Sequence, residues 1–226
     1  MKETVSERLP YGAAAGQERS LSRTAYEQLL DKLMRREIPV GSVLLERRLA
    51  AEMEMSRTPV REALNRLENE GFVTRQPGGL LVVREFSVRE LIETLHLRQI
   101  LEAESVSLAT GRIAEAEIEA IIEAIEALMK KPEPTAAEDW AVDSRFHQTI
   151  ADHSGNSALA RLIFDLRLKT YMFNLDRVPE RFVVGHREHL AVLDALRRQD
   201  RDAAREGITT HIENVRLSII EKLNRI

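Results

Sequence analysis

Six histidines stand at positions 96, 147, 153, 186, 189 and 211, and three of them fall where a helix would bury them. His147 follows Asp143 by four residues and shares its side with Phe146 and Ile150. His189 precedes Val192, Leu193 and Leu196 at i+3, i+4 and i+7, and His211 sits between Ile208 and Val215 on a stripe that continues to Ile219. An inward polar side chain without a partner costs roughly 2–7 kcal/mol. One divalent ion would satisfy the carboxylate and the three imidazoles together, and a pair at i, i+4 can chelate from a single turn. Each histidine can equally be satisfied by a backbone carbonyl or a carboxylate of its own, so spacing leaves both readings open. His186 lies near the His189 stripe and is a rival ligand. His153, just before Gly155, suits the last turn of a helix, and His96 has no evident partner.

A second stretch, "SRTPVREALNRLENEG" at 56–71, carries chemistry of another kind. Val60, Ala63, Leu64 and Leu67 form one apolar stripe. Arg57, Arg61 and Asn65, at i, i+4 and i+8, form the opposite row. Arginine can grip guanine O6/N7 with two hydrogen bonds or clamp a phosphate, and asparagine can read adenine. Ser56 or Thr58 can cap this helix, and Pro59 suits its first turn, where a missing N–H costs nothing. The alternative is a solvated charged face on which Glu62 and Glu68 pair with the arginines.

The elements that would position these groups fall into two regions. Residues 1–20 are Ala/Gly/Ser-rich and read as a flexible lead-in. From Leu21 a helical period runs through Tyr26, Leu29, Leu30 and Leu33, until Pro39 and Gly41 break it. A short helix carries Leu49, Ala50 and Met53, the helix of 56–71 ends at Gly71, and "FVT" and "LLVV" flank "RQPGG" as a two-strand hairpin. Helix, short helix, helix, hairpin is the order of a winged helix-turn-helix over 21–84. Residues 85–226 read as about six helices, with breaks at 130–135, 153–157, 177–180 and 198–202. Their stripes include Ile118, Ile121, Ile122 and Ile125, and Leu159, Leu162, Ile163 and Leu166, the pattern of an antiparallel helical bundle. The fold class expected is mainly α, in two domains.

Composition agrees with this division. The net charge of −4 hides a net +2 over residues 1–84 and −6 over the remainder. An acidic protein can still bind nucleic acid if its cations converge on one face. The chain has no cysteine, which excludes disulfides and thiolate metal sites and fits a reducing cytosol. Its first 20 residues lack the apolar core of a signal peptide, and no apolar run approaches the roughly 18–20 residues of a membrane span. A cytoplasmic location without a membrane partner is expected.

"LLERRLAAEMEMSRTPVREALNRLENEGFVTRQPGGLLVV" closely resembles the DNA-binding domain of the GntR superfamily of bacterial transcription regulators. Its motif appears as Ser56, Arg57, Val60, Arg61, Ala63, Leu64, Leu67, Glu70 and Gly71, preceded by Glu46, Arg47, Leu49 and Ala50. The resemblance implies that Arg47 contacts phosphate and base edge from the second helix. It also implies that Ser56, Arg57, Thr58 and Arg61 contact DNA from the third, and that the wing glycines Gly78 and Gly79 approach the minor groove. One departure shows: the family's wing often has a basic residue where Gly78 stands.

The C-terminal half is similar to the FCD domain of FadR-type members of that superfamily. "DSRFH" (Asp143, His147), "SGN" (154–156), His189 in "EHLAVLDAL" and His211 in "THIENV" match its metal-binding pattern, and "LRQILEAE" matches its Arg-x-x-x-Glu helix. The resemblance implies a divalent metal held by Asp143, His147, His189 and His211. Zinc is foremost, and nickel, manganese or iron also suits the ligand set. It also implies a small organic acid effector clamped by Arg98, with Glu102 orienting the arginine. The function expected is a ligand-responsive repressor, a homodimer on a short inverted repeat of double-stranded DNA. The competing class is a metal-dependent hydrolase. That chemistry wants a carboxylate base on the ion's open side, and the Glu adjacent in sequence, Glu188, lies about 100° around the helix from His189.

Overall fold

The computed structural model describes residues 21–173 and 179–223, so the expected lead-in over 1–20 and part of the break expected at 177–180 lie outside the described residues. The chain divides into two compact units, residues 1–87 and 88–226.

The first unit runs α1 (Leu21–Met34), β1 (Val43–Leu44), α2 (Glu46–Glu52), α3 (Arg57–Asn69), β2 (Val73–Arg75) and β3 (Leu81–Val83). Its core gathers the stripes expected of α1 and α3: Leu29, Leu30, Val60, Leu64 and Leu67 are buried. Phe72, just before β2, is also fully buried. The expected hairpin forms as β2 and β3, and β1 adds a third strand to it. The sheet has three antiparallel strands in the order β1-β3-β2, with Val43 opposite Val82 and Thr74 opposite Val82 from the other side. A two-residue strand shows no alternation, so β1 left no period in the sequence. The hairpin turn needs positive φ at Gly78 and Gly79, +97° and +84°, which glycine adopts without steric cost.

Among its described residues the second unit has six helices: α4 (Val88–Ala109), α5 (Glu115–Met129), α6 (Ala136–His153), α7 (Ser157–Phe173), α8 (Pro179–Arg197) and α9 (Arg201–Leu223). α4 packs against α6, α7 and α9, while α5 lies on α6 and α8, and α8 on α9. The core centres on Ile121, Ile125, Phe146, Val192, Leu193 and Ile208. α6 starts at a capping box in which Thr135 accepts from the Glu138 backbone N–H and Glu138 accepts from that of Thr135. The cap fixes where the turns bearing Asp143 and His147 fall. One expected core residue, Leu162, is 47% exposed because it lies at the edge of its stripe. No described helix is long and apolar enough to cross a membrane.

Candidate metal centre and DNA-binding face

His147 on α6, His189 on α8 and His211 on α9 are all buried, and one ring nitrogen of each lies within 4.8 Å of the others. His189 Nε2 stands 3.1 Å from His211 Nε2, and Asp143 Oδ1 lies 3.7 Å from both His147 Nε2 and His189 Nε2. Donors held at about 2.0–2.1 Å around a tetrahedral ion stand roughly 3.3–3.4 Å apart, so these separations bracket what one ion requires.

The opposite edges of two rings are tied to carboxylates. His147 Nδ1 donates to Glu102, and His211 Nδ1 donates to Glu188 at 2.8 Å. A proton held at Nδ1 leaves the Nε2 lone pair free to face the cluster, the usual support of a metal-ligating imidazole. His189 is oriented differently: its ring stacks on Phe146 with centroids 4.1 Å apart, and its Nδ1 is buried without a hydrogen-bond partner. Burial pushes the His147 ring down to about 4 although Glu102 opposes it, and burial with His211 nearby holds His189 well below its ordinary value. Neutral imidazoles are the ligating form. The donor set therefore fits a divalent ion.

Asp143 has a second commitment, since its Oδ2 accepts from Arg167 Nη2. Burial alone would raise the Asp143 carboxyl, but Arg167 and the neighbouring cations hold it below its ordinary value. Arg98 and Glu102 are both buried on α4 and paired, Arg98 Nε donating to Glu102 Oε1 at 2.7 Å. Glu102 thus bridges Arg98 and His147. Burial would raise its carboxyl, yet Arg98, His147 and Arg167 together hold it well below the usual carboxylate range. The rival His186 pairs instead with Asp139, Nε2 to Oδ1 at 2.6 Å, and stands outside the three-histidine group. His153 Nδ1 donates to the Thr149 carbonyl in the last turn of α6, and His96 is exposed.

A cavity of about 550 Å³ opens over this cluster. Four helices each contribute one face at helical spacing: Trp140, Asp143 and His147 from α6; Arg167, Thr170 and Tyr171 from α7; Phe182, His186 and His189 from α8; His211, Val215 and Ile219 from α9. Arg98 reaches in from α4. Sequence reasoning missed Arg167, which is 2% exposed and lies between Asp143 and the Trp140 ring. In "RLIFDLRLKT" it has the same appearance as the cations around it. Glu188 proves to be the support of His211 and also accepts from Asn214 Nδ2 at 2.8 Å and from both terminal nitrogens of Arg181. Those bonds hold its carboxyl at about 2 against the opposing effect of burial.

In the first unit Arg57, Arg61 and Asn65 are exposed on one side of α3, with Ser56 and Thr58 exposed at its start. Ser56 stands at the N-cap position without a side-chain cap bond. The arginines do not pair with Glu62 or Glu68. Glu46 at the start of α2 takes both, at 3.1 Å from Arg57 Nη2 and 3.4 Å from Arg61 Nε, while Glu68 is engaged by Arg75 at 2.7 Å. Arg47, Arg48, Arg57 and Arg75 line a groove between α2, the start of α3 and the hairpin, with Gly79 at its edge. Arg75 also donates to the Gly79 carbonyl at 3.1 Å, which brings a cation to the wing turn where Gly78 had appeared to leave none.

Residues 21–83 match the bacterial regulatory proteins of the gntR family, and residues 93–214 match the FCD domain. The Nta operon transcriptional regulator of Aminobacter aminovorans is 29% identical over 174 residues, covering 76% of this chain and 82% of that one. The HTH-type transcriptional repressor NanR of Citrobacter rodentium is 27% identical over 221 residues, covering 87% and 84%. The solved structure of Escherichia coli McbR/YncC superposes with a TM-score of 0.77 at 24% identity, covering 91% of this chain and 99% of that one, a likeness of fold.

Proposed function

The chain belongs to the gntR family of bacterial regulatory proteins with an FCD domain, a DNA-binding transcription regulator and no hydrolase, and on that premise we propose that its helical unit senses a small carboxylic acid through a bound divalent metal. The observation that carries the reading is the convergence of the His147, His189 and His211 ring nitrogens at the base of a cavity, with two of the three rings backed by carboxylates. Asp143 would complete the ligand set through Oδ1 while Arg167 holds its other oxygen. When bound, the metal would supply open coordination positions to an anion. Arg98, fixed by Glu102, would offer a cation on the same cavity wall.

On the DNA side, Arg57, Arg61 and Asn65 would read base edges from α3, with Arg47 on phosphate and base edge from α2, Ser56 and Thr58 contacting DNA at the start of α3, and Gly78 and Gly79 beside the minor groove. One winged helix makes too few contacts for a specific site, so a homodimer on a short inverted repeat is the fitting assembly. Leu97 and Ile100, about half exposed on α4, supply apolar surface for it. A carboxylate that binds one arrangement of the dimer more tightly would shift the population toward it and change operator affinity. Repression is the output we assign, in keeping with the NanR relative's description as a repressor.

The test is a mobility shift on a site selected from random duplex, with zinc or EDTA and with or without a panel of carboxylates. An operator affinity that responds to a carboxylate only when zinc is present supports the reading. Indifference of the complex to every carboxylate and to EDTA would remove it.

A further inference from the structure

Arg167 carries more hydrogen-bonding capacity than its surroundings use. Nη2 is engaged by Asp143, while Nε and Nη1 are buried without a hydrogen-bond partner. Orphan donors on a buried guanidinium are costly, and a second anion on that side of the fork would satisfy them. The same guanidinium lies over the Trp140 ring, 5.0 Å from its centroid, and Trp140 meets Tyr171 with centroids 4.3 Å apart. Phe173 and Phe182 also line the cavity.

The concentration is informative. The chain has 10 aromatic residues, and four of them, including its single Trp, line this one cavity. None of the four is fully buried, so each keeps ring surface that a ligand in the cavity can cover. Val215 and Ile219 continue the apolar lining from α9.

We infer that the effector is an aromatic carboxylic acid, its carboxylate held by Arg167 beside the three histidines and its ring laid against Trp140 and Tyr171. The inference rests on the reading of this cavity as the effector site. The close approach of guanidinium and indole, 5.0 Å, suits a short link between carboxylate and ring, as in benzoate or phenylacetate. Offset or edge-to-face ring packing then adds to simple apolar burial.

Titration calorimetry on the full chain, with and without one equivalent of zinc, tests this with benzoate, cyclohexanecarboxylate, acetate and benzyl alcohol. Benzoate should bind roughly three- to tenfold more tightly than cyclohexanecarboxylate, whose ring has similar size but no π face. Acetate should be weaker still, and benzyl alcohol should give no saturable heat. Trp140 fluorescence should change with the same midpoint as the benzoate heat. Trp140→Leu, checked for helicity by circular dichroism, should bring benzoate down to the affinity of cyclohexanecarboxylate. Equal binding of benzoate and cyclohexanecarboxylate, or binding of benzyl alcohol, overturns the aromatic assignment while the carboxylate reading stands. Zinc retained with no heat from any carboxylate overturns that reading too, and this inference with it.

Discussion

The Glu46 carboxylate, on the first residue of α2, lies 3.1 Å from the Arg57 guanidinium on the first residue of α3, and the same oxygen stands 3.4 Å from Arg61. One anion therefore aligns the two cations expected to reach base edges. The arginines are 62% and 54% exposed, and pairs of that kind contribute about 0–1 kcal/mol to stability. The consequence belongs to DNA binding. Glu46→Gln should leave the melting temperature nearly unchanged and strengthen binding to random duplex, because one anion leaves a surface proposed to meet phosphates. The ratio of specific to random affinity should fall, since the arginines lose a fixed direction. Fluorescence anisotropy on both duplexes at two salt concentrations reads all three effects, and an unchanged ratio would refute the positioning role.

Arg61→Ala separates base contact from phosphate contact. A bidentate grip on guanine should cost about 1–3 kcal/mol on the selected site and relax preference at one base position in each half-site. Binding to random duplex should weaken far less. If both duplexes weaken equally, Arg61 contacts phosphate only.

Much of this was legible in the sequence because helical period and motif spacing survive without tertiary context. Val60, Leu64 and Leu67 point inward as their stripe requires, and Asp143 and His147 share a face as i, i+4 residues must. What was hidden depends on partners distant in the chain. Arg167 is buried because Asp143 on another helix receives it, and nothing within α7 distinguishes it from the cations around it. Glu188 draws its role from His211, 23 residues away in the chain. Glu46 sits inside the recognised motif, but its contact with both recognition-helix arginines appears only once α2 and α3 are packed together.

The helix crossing that brings His189 to His211 can be tested at Gly207. A methyl group there would lie 2.9 Å from Val192 Cγ2, and Val192 is fully buried and stiff about χ1. Gly207→Ala gains about 1 kcal/mol in helix propensity but incurs about 1–3 kcal/mol of overpacking. The net expectation is a destabilisation of about 1 kcal/mol by urea denaturation. Val192 lies three residues after His189 and Gly207 four before His211, so spreading this crossing should also weaken zinc binding. In a Val192→Ala background the cost of Gly207→Ala should vanish, giving a coupling energy of about 1 kcal/mol or more. Additive effects would show that the crossing does not depend on this close approach.

Metal removal is the most direct test of the site. The three ring nitrogens and Asp143 Oδ1 come from three helices, so an ion held by them would join α6, α8 and α9 in the folded state alone. Anything that binds only the native state stabilises it, by about 2.7 kcal/mol at a hundredfold excess over its dissociation constant. Chelation by EDTA should therefore lower the melting temperature of the full chain by roughly 5–10 °C, and added zinc should restore it. His189→Ala should abolish that response, because a ligand is lost outright. Glu188→Gln should keep the response but shift it to roughly 10- to 100-fold higher zinc, because His211 would lose the carboxylate that holds its Nδ1 proton while Nε2 remains free to ligate. The pair of variants separates ligation from support: loss of the response in His189→Ala with a displaced response in Glu188→Gln fits the geometry. A melting temperature indifferent to EDTA and zinc in the unaltered protein would mean that the histidines satisfy one another without an ion.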